Sequence, residues 1–378
     1  MTIVIISFTT RPGHGSEGGV GWSFLQAAAE VATRQEEKVI AIIDDRDARP
    51  IHESMQASKI SSVVEIRPVK VPRPLLRMYG NRRTRASYIG WAICARKLLK
   101  EIIADRQPRI VHQVTFATAS LPPVFFGIKD VRALWGPINI TSEPAKIPGL
   151  PTGITRRIIQ FTGKCFAFGA SDVIATNKNT QAILARTNKR VYLEPNIFVD
   201  PPSTLSTNAL DYQLCMVGNL NERKRPFLAI RMMQNPEFSD YHLGVVGDGP
   251  LRKELEDYAQ KHNLSHRVHF LGRVSRGDAM KHIAQSRVLI HPSASEGAAW
   301  VVGEAAALGV PAVAFEGTGA DSTITLCGNG GVIAESGTKD DVQALAAAVS
   351  KCIKRPKPEP SKRWSSDRLP ALLEEWWK

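Results

Sequence analysis

A chain of 378 residues exceeds one ordinary domain and suits two. With 43% hydrophobic and 22% charged residues, it has the make-up of a globular protein with sizeable cores, which excludes a disordered or fibrous chain. The net charge of +13 is lopsided: residues 1–200 carry 28 Lys/Arg against 16 Asp/Glu, whereas residues 201–378 carry 21 against 20. The excess is densest between Arg67 and Arg109, where 12 basic residues face only Glu101 and Asp105. Such a patch calls for an anionic partner: a membrane surface, a phosphorylated lipid or nucleic acid. No apolar run reaches the roughly 18 residues needed to cross a bilayer. The N-terminus lacks a basic n-region and reads as a first strand rather than a secretion signal, so a cytoplasmic location is expected. The five cysteines are scattered without a C-x-x-C pair, as expected of reduced thiols and not of a zinc site.

In chain order, IVIIS (3–7) is a continuous apolar strand, followed by an expected Gly-rich loop, GHGSEGGVGW (13–22), and an amphipathic stretch over about 20–33. In that loop Gly18 and Gly19 would let backbone amides approach a ligand. VIAII (39–43) is the next strand. DDRD (44–47) contains a D-x-D triplet, but acidic residues are common in the turn after a strand, and no metal is expected. His52-Glu53 lacks the second histidine of a zinc motif. Further strands are IVHQV (110–114), ALWGP (133–137) and DVIAT (172–176). His112, at the end of one of them, is the leading polar candidate near a reacting centre, with His14 its competitor.

The register restarts after LEPNIFVDPPST (193–204), a linker by its prolines. Strands are then expected at QLCMVG (213–218), YHLGVVG (241–247), RVHFLG (267–272), VLIHPS (288–293) and VPAVAF (310–315), with helices at 250–263 and 298–309. KRPKPEPSKR (354–363) reads as an exposed turn. The final RWSSDRLPALLEEWWK looks helical and either caps the second domain or crosses back to the first. Alternating apolar runs and helical segments indicate parallel α/β architecture. The expected organisation is two Rossmann-like units facing one cleft, over 1–198 and 199–360, with a C-terminal helix at 361–378. Ligands of such sheets bind outside the carboxyl ends of the strands.

Four features of the second half point to one ligand. Gly218 ends a strand, and Lys224 and Arg225 follow at an expected helix start, where amides and the macrodipole favour an anion such as a diphosphate. VVGDGP (245–250) places Gly247 at another strand end. HPSASEGAAWVVGEAAALG carries Glu296 after a strand and Glu304 inside the next helix, about 12 Å apart if helical throughout. Between them Gly297, Ala299, Trp300 and Val301 open that helix. GTGADSTI (317–324) is a Gly-rich turn fit to close over a ligand.

Read in order, Gly218…Lys224, VVGDGP, FLGRV, HPSASEG, the E-x7-E pair and ALGVPAVA resemble the retaining GT-B glycosyltransferases of family 4, across most of residues 212–353. GSEGGVGW resembles the loop of a subgroup that builds cell-surface polysaccharides. The resemblance implies that Lys224 binds the phosphates of a UDP- or GDP-sugar, that Glu296 contacts the donor sugar and Glu304 the ribose, and that Arg273-Val274 lies beside the base. Family members usually carry Arg directly after the glycine matched by Gly218; here Asn219 stands there, and Arg225 or Arg223 could replace the missing cation. Retention would need no enzymatic nucleophile and no cofactor beyond the nucleotide sugar, which is substrate.

A glycan or lipid-linked acceptor at an anionic membrane is expected. Residues 75–100 and 147–164 mix Arg/Lys with Leu, Tyr, Ile, Phe and Trp, as peripheral interfacial segments do. Nucleic acid is not expected as a partner, because the chain has no RNP-like aromatic motif and no zinc finger. Rival readings are another GT-B enzyme, such as an epimerase or phosphorylase, or a non-catalytic binder of anionic surfaces.

Overall fold

The alternation of apolar runs and helical segments resolves into two parallel sheets, each in its own unit. The computed structural model describes residues 1–14, 16–58, 60–80, 84–140, 151–187, 189–201, 212–328, 330–335 and 340–378. One unit comprises Met1–Asn196 together with Asp367–Lys378, and the other Ile197–Ser366.

The first unit runs β1 (Thr2–Ser7), α1 (Ser16–Arg34), β2 (Lys38–Asp44), α2 (Ala48–Ala57), β3 (Val64–Val69), α3 (Arg73–Tyr79), α4 (Arg85–Arg106), β4 (Ile110–Gln113), β5 (Ala133–Ile138), α5 (Thr152–Phe168), β6 (Asp172–Ala175), α6 (Lys178–Ala185) and β7 (Arg190–Leu193). The strands lie in the order β3-β2-β1-β4-β5-β6-β7, all parallel. The inner strands are buried along their length because helices cover both faces of a parallel sheet. α4 starts at a capping box in which the Thr84 and Ser87 side chains satisfy each other's backbone N–H groups.

The C-terminal helix Leu369–Trp376 packs along α1. Arg109 and Arg132 each donate to the Trp377 carbonyl at 2.8 Å, and Arg132 also reaches the Trp376 carbonyl at 3.0 Å. These two guanidiniums satisfy carbonyls that the helix end leaves open, and their own charge is balanced by Glu37 and Asp172.

The second unit runs β8 (Leu214–Val217), α7 (Pro226–Met232), β9 (Leu243–Val246), α8 (Arg252–Lys261), β10 (Val268–Gly272), α9 (Arg276–Gln285), β11 (Val288–His291), α10 (Trp300–Ala307), β12 (Ala312–Phe315), α11 (Ala320–Cys327), β13 (Val332–Ala334) and α12 (Asp341–Ile353). Its sheet has the order β10-β9-β8-β11-β12-β13, again parallel. The chain builds outward from β8 in one direction through β9 and β10, then returns to lay β11 on the other side. That reversal opens a crevice at the carboxyl ends of β8 and β11, where doubly wound sheets bind their ligands.

Three expectations change. GSEGGVGW is not a loop. Apart from Gly15, which lies outside the described residues, it forms the opening turns of α1, with Gly18 and Gly19 inside the helix. The glycines serve packing: a Cβ on Gly21 would stand 2.3 Å from the Thr9 carbonyl, and one on Gly18 3.1 Å from the Arg11 Cβ. Most apolar residues of α4 within 75–100 turn inward, since Tyr88, Trp91, Ala95 and Leu99 fill the core beneath it, and Ile93 is the large apolar residue left exposed on its outer face. The unit boundary falls at Asn196/Ile197, because Ile197 and Val199 are buried in the second unit's core. Part of the expected linker (202–204) and part of the 147–164 segment (147–150) lie outside the described residues.

Candidate functional site

At the end of β8 the chain enters Gly218 and Asn219, then Asn221, whose side chain accepts from the Lys224 amide at 3.0 Å. This cap winds Glu222–Lys224 into a single 3-10 turn. Arg225 then takes a left-handed conformation (φ 47°), and Pro226 begins α7. Lys224 is thereby held over the strand end. Gly247, at the end of β9, must be glycine: its φ is 132°, and a Cβ there would sit 1.9 Å from the Gly218 carbonyl.

Across the crevice, the loop after β11 brings Glu296 onto these cations. Lys224 Nζ lies 2.5 Å and Arg223 Nη1 3.0 Å from the same carboxylate oxygen, and His291 Nε2 stands 3.4 Å from it. The Glu296 amide donates to the Thr318 carbonyl at 2.6 Å, tying this loop to the turn at 317–319. Burial opposes ionisation of Glu296, but the His291 ring and the Lys224 ammonium more than offset it and hold the carboxyl well below the usual range. Burial pushes the Lys224 ammonium down, with Glu296 acting against it, and burial likewise lowers the His291 ring, again opposed by Glu296. His291 Nε2 is buried, and the Glu296 carboxylate is the polar group it faces. The site is therefore an ionised carboxylate clasped by two cations, with the buried His291 ring against the same oxygen.

An open pocket of about 260 Å³ adjoins, lined by Gly218, Asn219, Gly247, Arg273, Val274 and Arg276 among others. Arg276 opens α9 behind the Ser275 cap. Its Nε lies 2.7 Å from Glu304 Oε1, and its guanidinium lies over the Trp300 ring at 5.2 Å. Burial raises the Glu304 carboxyl, partly opposed by Arg276. Ala299 precedes α10 without any side-chain cap, and Trp300 and Val301 form its first turn. Gly297 lies in the loop just before it, next to Glu296. The crevice thus gathers Gly218, Asn219, Gly247, Arg273 and Val274 in one pocket, with Glu304 at its edge through Arg276.

Two candidates leave the site. Arg225 is committed to the framework: it donates to the Pro292 carbonyl at 2.7 Å, pairs with Asp341 at 2.8 Å and lies over the Phe315 ring. Of the two cations that could replace the one missing at Asn219, Arg223 is the one at Glu296. His112 is a core residue of the first unit, fully buried. Its Nε2 bonds the Gly136 carbonyl at 2.9 Å, so that nitrogen carries the proton, and Nδ1 accepts from the Trp377 indole at 3.3 Å. Burial drives its pKa down to about 3. A neutral histidine with both nitrogens engaged moves no proton.

Elsewhere in the first unit, His14 is exposed and near the Pro12 carbonyl. Glu17 accepts from the Phe116 amide at 2.6 Å. Asp44 is bonded to Arg46, and Asp47 to the Thr10 amide. Among the described residues no cluster of His, Cys, Asp and Glu could hold a metal ion. Sequence reasoning missed Arg276 and His291. The S-R-G-D cap at 275–278 marks Arg276 as a first-turn residue, but only the fold shows that it meets Glu304.

The sheets, their order and the crevice define an α/β protein of two Rossmann-like units with GT-B structural neighbours. Residues 205–367, most of the second unit, match the family described as Glycosyl transferases group 1. A stretch of 104 residues is 33% identical to the uncharacterized glycosyltransferase MJ1178 of Methanocaldococcus jannaschii, covering 28% of this chain and 29% of that relative. The match thus spans less than a third of the relative's length. The fold is similar to sucrose-phosphate synthase from Thermosynechococcus elongatus (TM-score 0.64, 18% identity, 100% of this chain and 96% of that one). It is also similar to HepE of Anabaena in complex with UDP (TM-score 0.57, 16% identity, 100% and 99%).

Proposed function

We propose that the protein is a retaining glycosyltransferase that moves a sugar from a UDP- or GDP-sugar to a glycan or lipid-linked acceptor in cell-surface polysaccharide biosynthesis. The observation that carries this reading is the meeting of Lys224, Arg223 and Glu296 at the crevice, within the stretch that matches group 1 glycosyl transferases. The HepE neighbour is titled as a complex with UDP, which supports a nucleoside diphosphate as the guest.

In transfer, the bond from the anomeric carbon to the β-phosphate oxygen breaks and one from the acceptor oxygen to that carbon forms on the same face. The acceptor proton passes to the departing phosphate. The chief requirement is stabilisation of charge growing on the diphosphate, for which fixed donors contribute roughly 3–4 kcal/mol each. Lys224 and Arg223 supply cations, and the uncapped start of α10 supplies amides. Glu296, ionised and acceptor-only, takes hydrogen bonds from sugar hydroxyls and thereby frees Lys224 for phosphate. Arg276 and Glu304 serve the ribose, and Arg273-Val274 the base. No metal is needed to offset the diphosphate charge.

The experiment is a thermal-shift panel of UDP- and GDP-sugars, followed by anomeric analysis of the product formed with added acceptor. One donor should raise Tm, since a ligand bound only to the folded state stabilises it, and the product should keep the donor's anomeric configuration. Consumption of donor without use of acceptor would point to an epimerase, and an inverted product would exclude retention.

A further inference from the structure

We propose that the outer faces of α4 and α5, with the loop joining β4 to β5, form one docking surface for an anionic lipid bilayer. The proposal rests on the reading above for its purpose, meeting a membrane-held acceptor, but its physical case stands on the first unit alone.

α5 buries one side and exposes a second apolar line beside it. Thr155, Gly163 and Ala167 face inward, and a Cβ on Gly163 would already crowd Ala119 at 2.8 Å. Outside run Ile154, Ile158, Phe161 and Phe168, with the two phenylalanines 68% and 62% exposed. Their spacing keeps them within an arc of about 80° along roughly 21 Å of helix, the layout of a helix lying in an interface. Large apolar side chains this exposed and this aligned are not the scattered hydrophobics of an ordinary surface. Arg157 and Lys164 flank the line on one side, and the helix contains no acidic residue.

The loop joining β4 to β5 ties α5 to α4. Arg96 donates to the Val124 carbonyl at 2.9 Å and to the Phe126 carbonyl, fixing the loop. The exposed Phe126 ring meets Phe166 of α5 at 5.2 Å. Ile93, exposed, lies one turn before Arg96 on α4, and Lys97 and Lys100 follow. Beyond them an open recess of about 840 Å³ is lined by Arg96, Lys100, Lys129 and Asp130, three cations against one carboxylate, a net charge that suits phosphate headgroups. The cations give the surface its sign. A second copy of this chain meeting the same face about a twofold axis would oppose Arg157 and Lys164 to their own equivalents, whereas an anionic bilayer complements both the apolar line and its charged flank.

The test is flotation of the full chain with phosphatidylcholine vesicles, with and without phosphatidylglycerol, in low and high salt, with sedimentation run in parallel without lipid. Wild type should float only with the anionic vesicles and lose binding in high salt. Phe161→Ser/Phe168→Ser and Arg157→Glu/Lys164→Glu should each cut the bound fraction at least about tenfold, with melting temperature and nucleotide binding unchanged. Unaltered flotation of both variants would overturn the proposal, as would a wild type that ignores anionic vesicles. A wild-type dimer that the Ser pair converts to monomer would instead make this face a self-association surface. Flotation needs no turnover, so a failure of the transferase reading would show separately, in the nucleotide panel.

Discussion

Lys224 and Glu296, 72 positions apart in sequence, meet at 2.5 Å where the second sheet reverses its strand order. Neither charge is isolated. The carboxylate also touches Arg223; burial leaves the Lys224 ammonium lowered, with Glu296 opposing it in part, whereas at Glu296 the His291 ring and Lys224 outweigh burial. The pair is a resting clasp: a diphosphate would draw the lysine, and sugar hydroxyls the glutamate.

Lys224→Ala and Glu296→Gln should each lower turnover with the true donor at least about tenfold, near 1.4 kcal/mol in the barrier. Initial-rate kinetics at saturating donor check this, and wild-type kcat in both variants would remove the pair from the mechanism.

Arg276→Ala should act on binding more than on chemistry. Without its partner Glu304 remains a buried carboxyl that takes up a proton and loses its fixed orientation. A donor KM raised by about tenfold with kcat nearly unchanged is expected. A fall confined to kcat would place Arg276 elsewhere.

Gly247→Ala should be costly without touching any charge. The new methyl would overlap the Gly218 carbonyl, and the φ of 132° is unfavourable for alanine. A loss of about 2 kcal/mol or more in unfolding free energy is expected, with weakened nucleotide binding because both strand ends must move. Urea unfolding with and without nucleotide reads both effects.

His112→Phe should destabilise the first unit by roughly 3 kcal/mol, because it orphans the Gly136 carbonyl and the Trp377 indole N–H in the core. Turnover per folded molecule should stay within about twofold. The native pKa near 3 lies below the unfolded value, so below about pH 6.5 the unfolded chain binds a proton that the native chain does not. Stability is full above that pH and falls as pH drops towards 3, by about 1.4 kcal/mol per unit for this histidine. The variant should show a shallower acid loss by one proton, and an unchanged slope would mean that His112 is not the buried neutral group described.

Much of this was legible in the sequence where burial leaves a one-dimensional trace. Inner strands such as 3–7, 39–43 and 288–291 show as unbroken apolar runs because both their faces are covered. The strands that escaped, β3, β7 and β13, are all sheet edges. β3 alternates Glu65 and Arg67 with apolar residues, β7 is four residues with an exposed Arg190, and β13 is three residues long. The glycines of α1 misled because close helix packing and loop flexibility select the same residue. Lys224 and Glu296 could be named because they follow strand ends, and Glu304 because it stands eight positions beyond Glu296 inside the next helix. The partner of His112, Trp377, lies 265 positions away, and no local pattern announces it. Arg225 and Arg223 are alike in sequence, and only the left-handed turn at Arg225 sends one to Asp341 and leaves the other at Glu296.

The central claim, that a nucleoside diphosphate is held by the cations at the β8–β11 crevice, is tested most directly by calorimetric titration of UDP and GDP into wild type and Lys224→Ala. One nucleotide should bind wild type and bind the variant at least about tenfold more weakly, a difference of about 1.4 kcal/mol. Equal affinities, or no binding of either nucleotide to wild type, would contradict it.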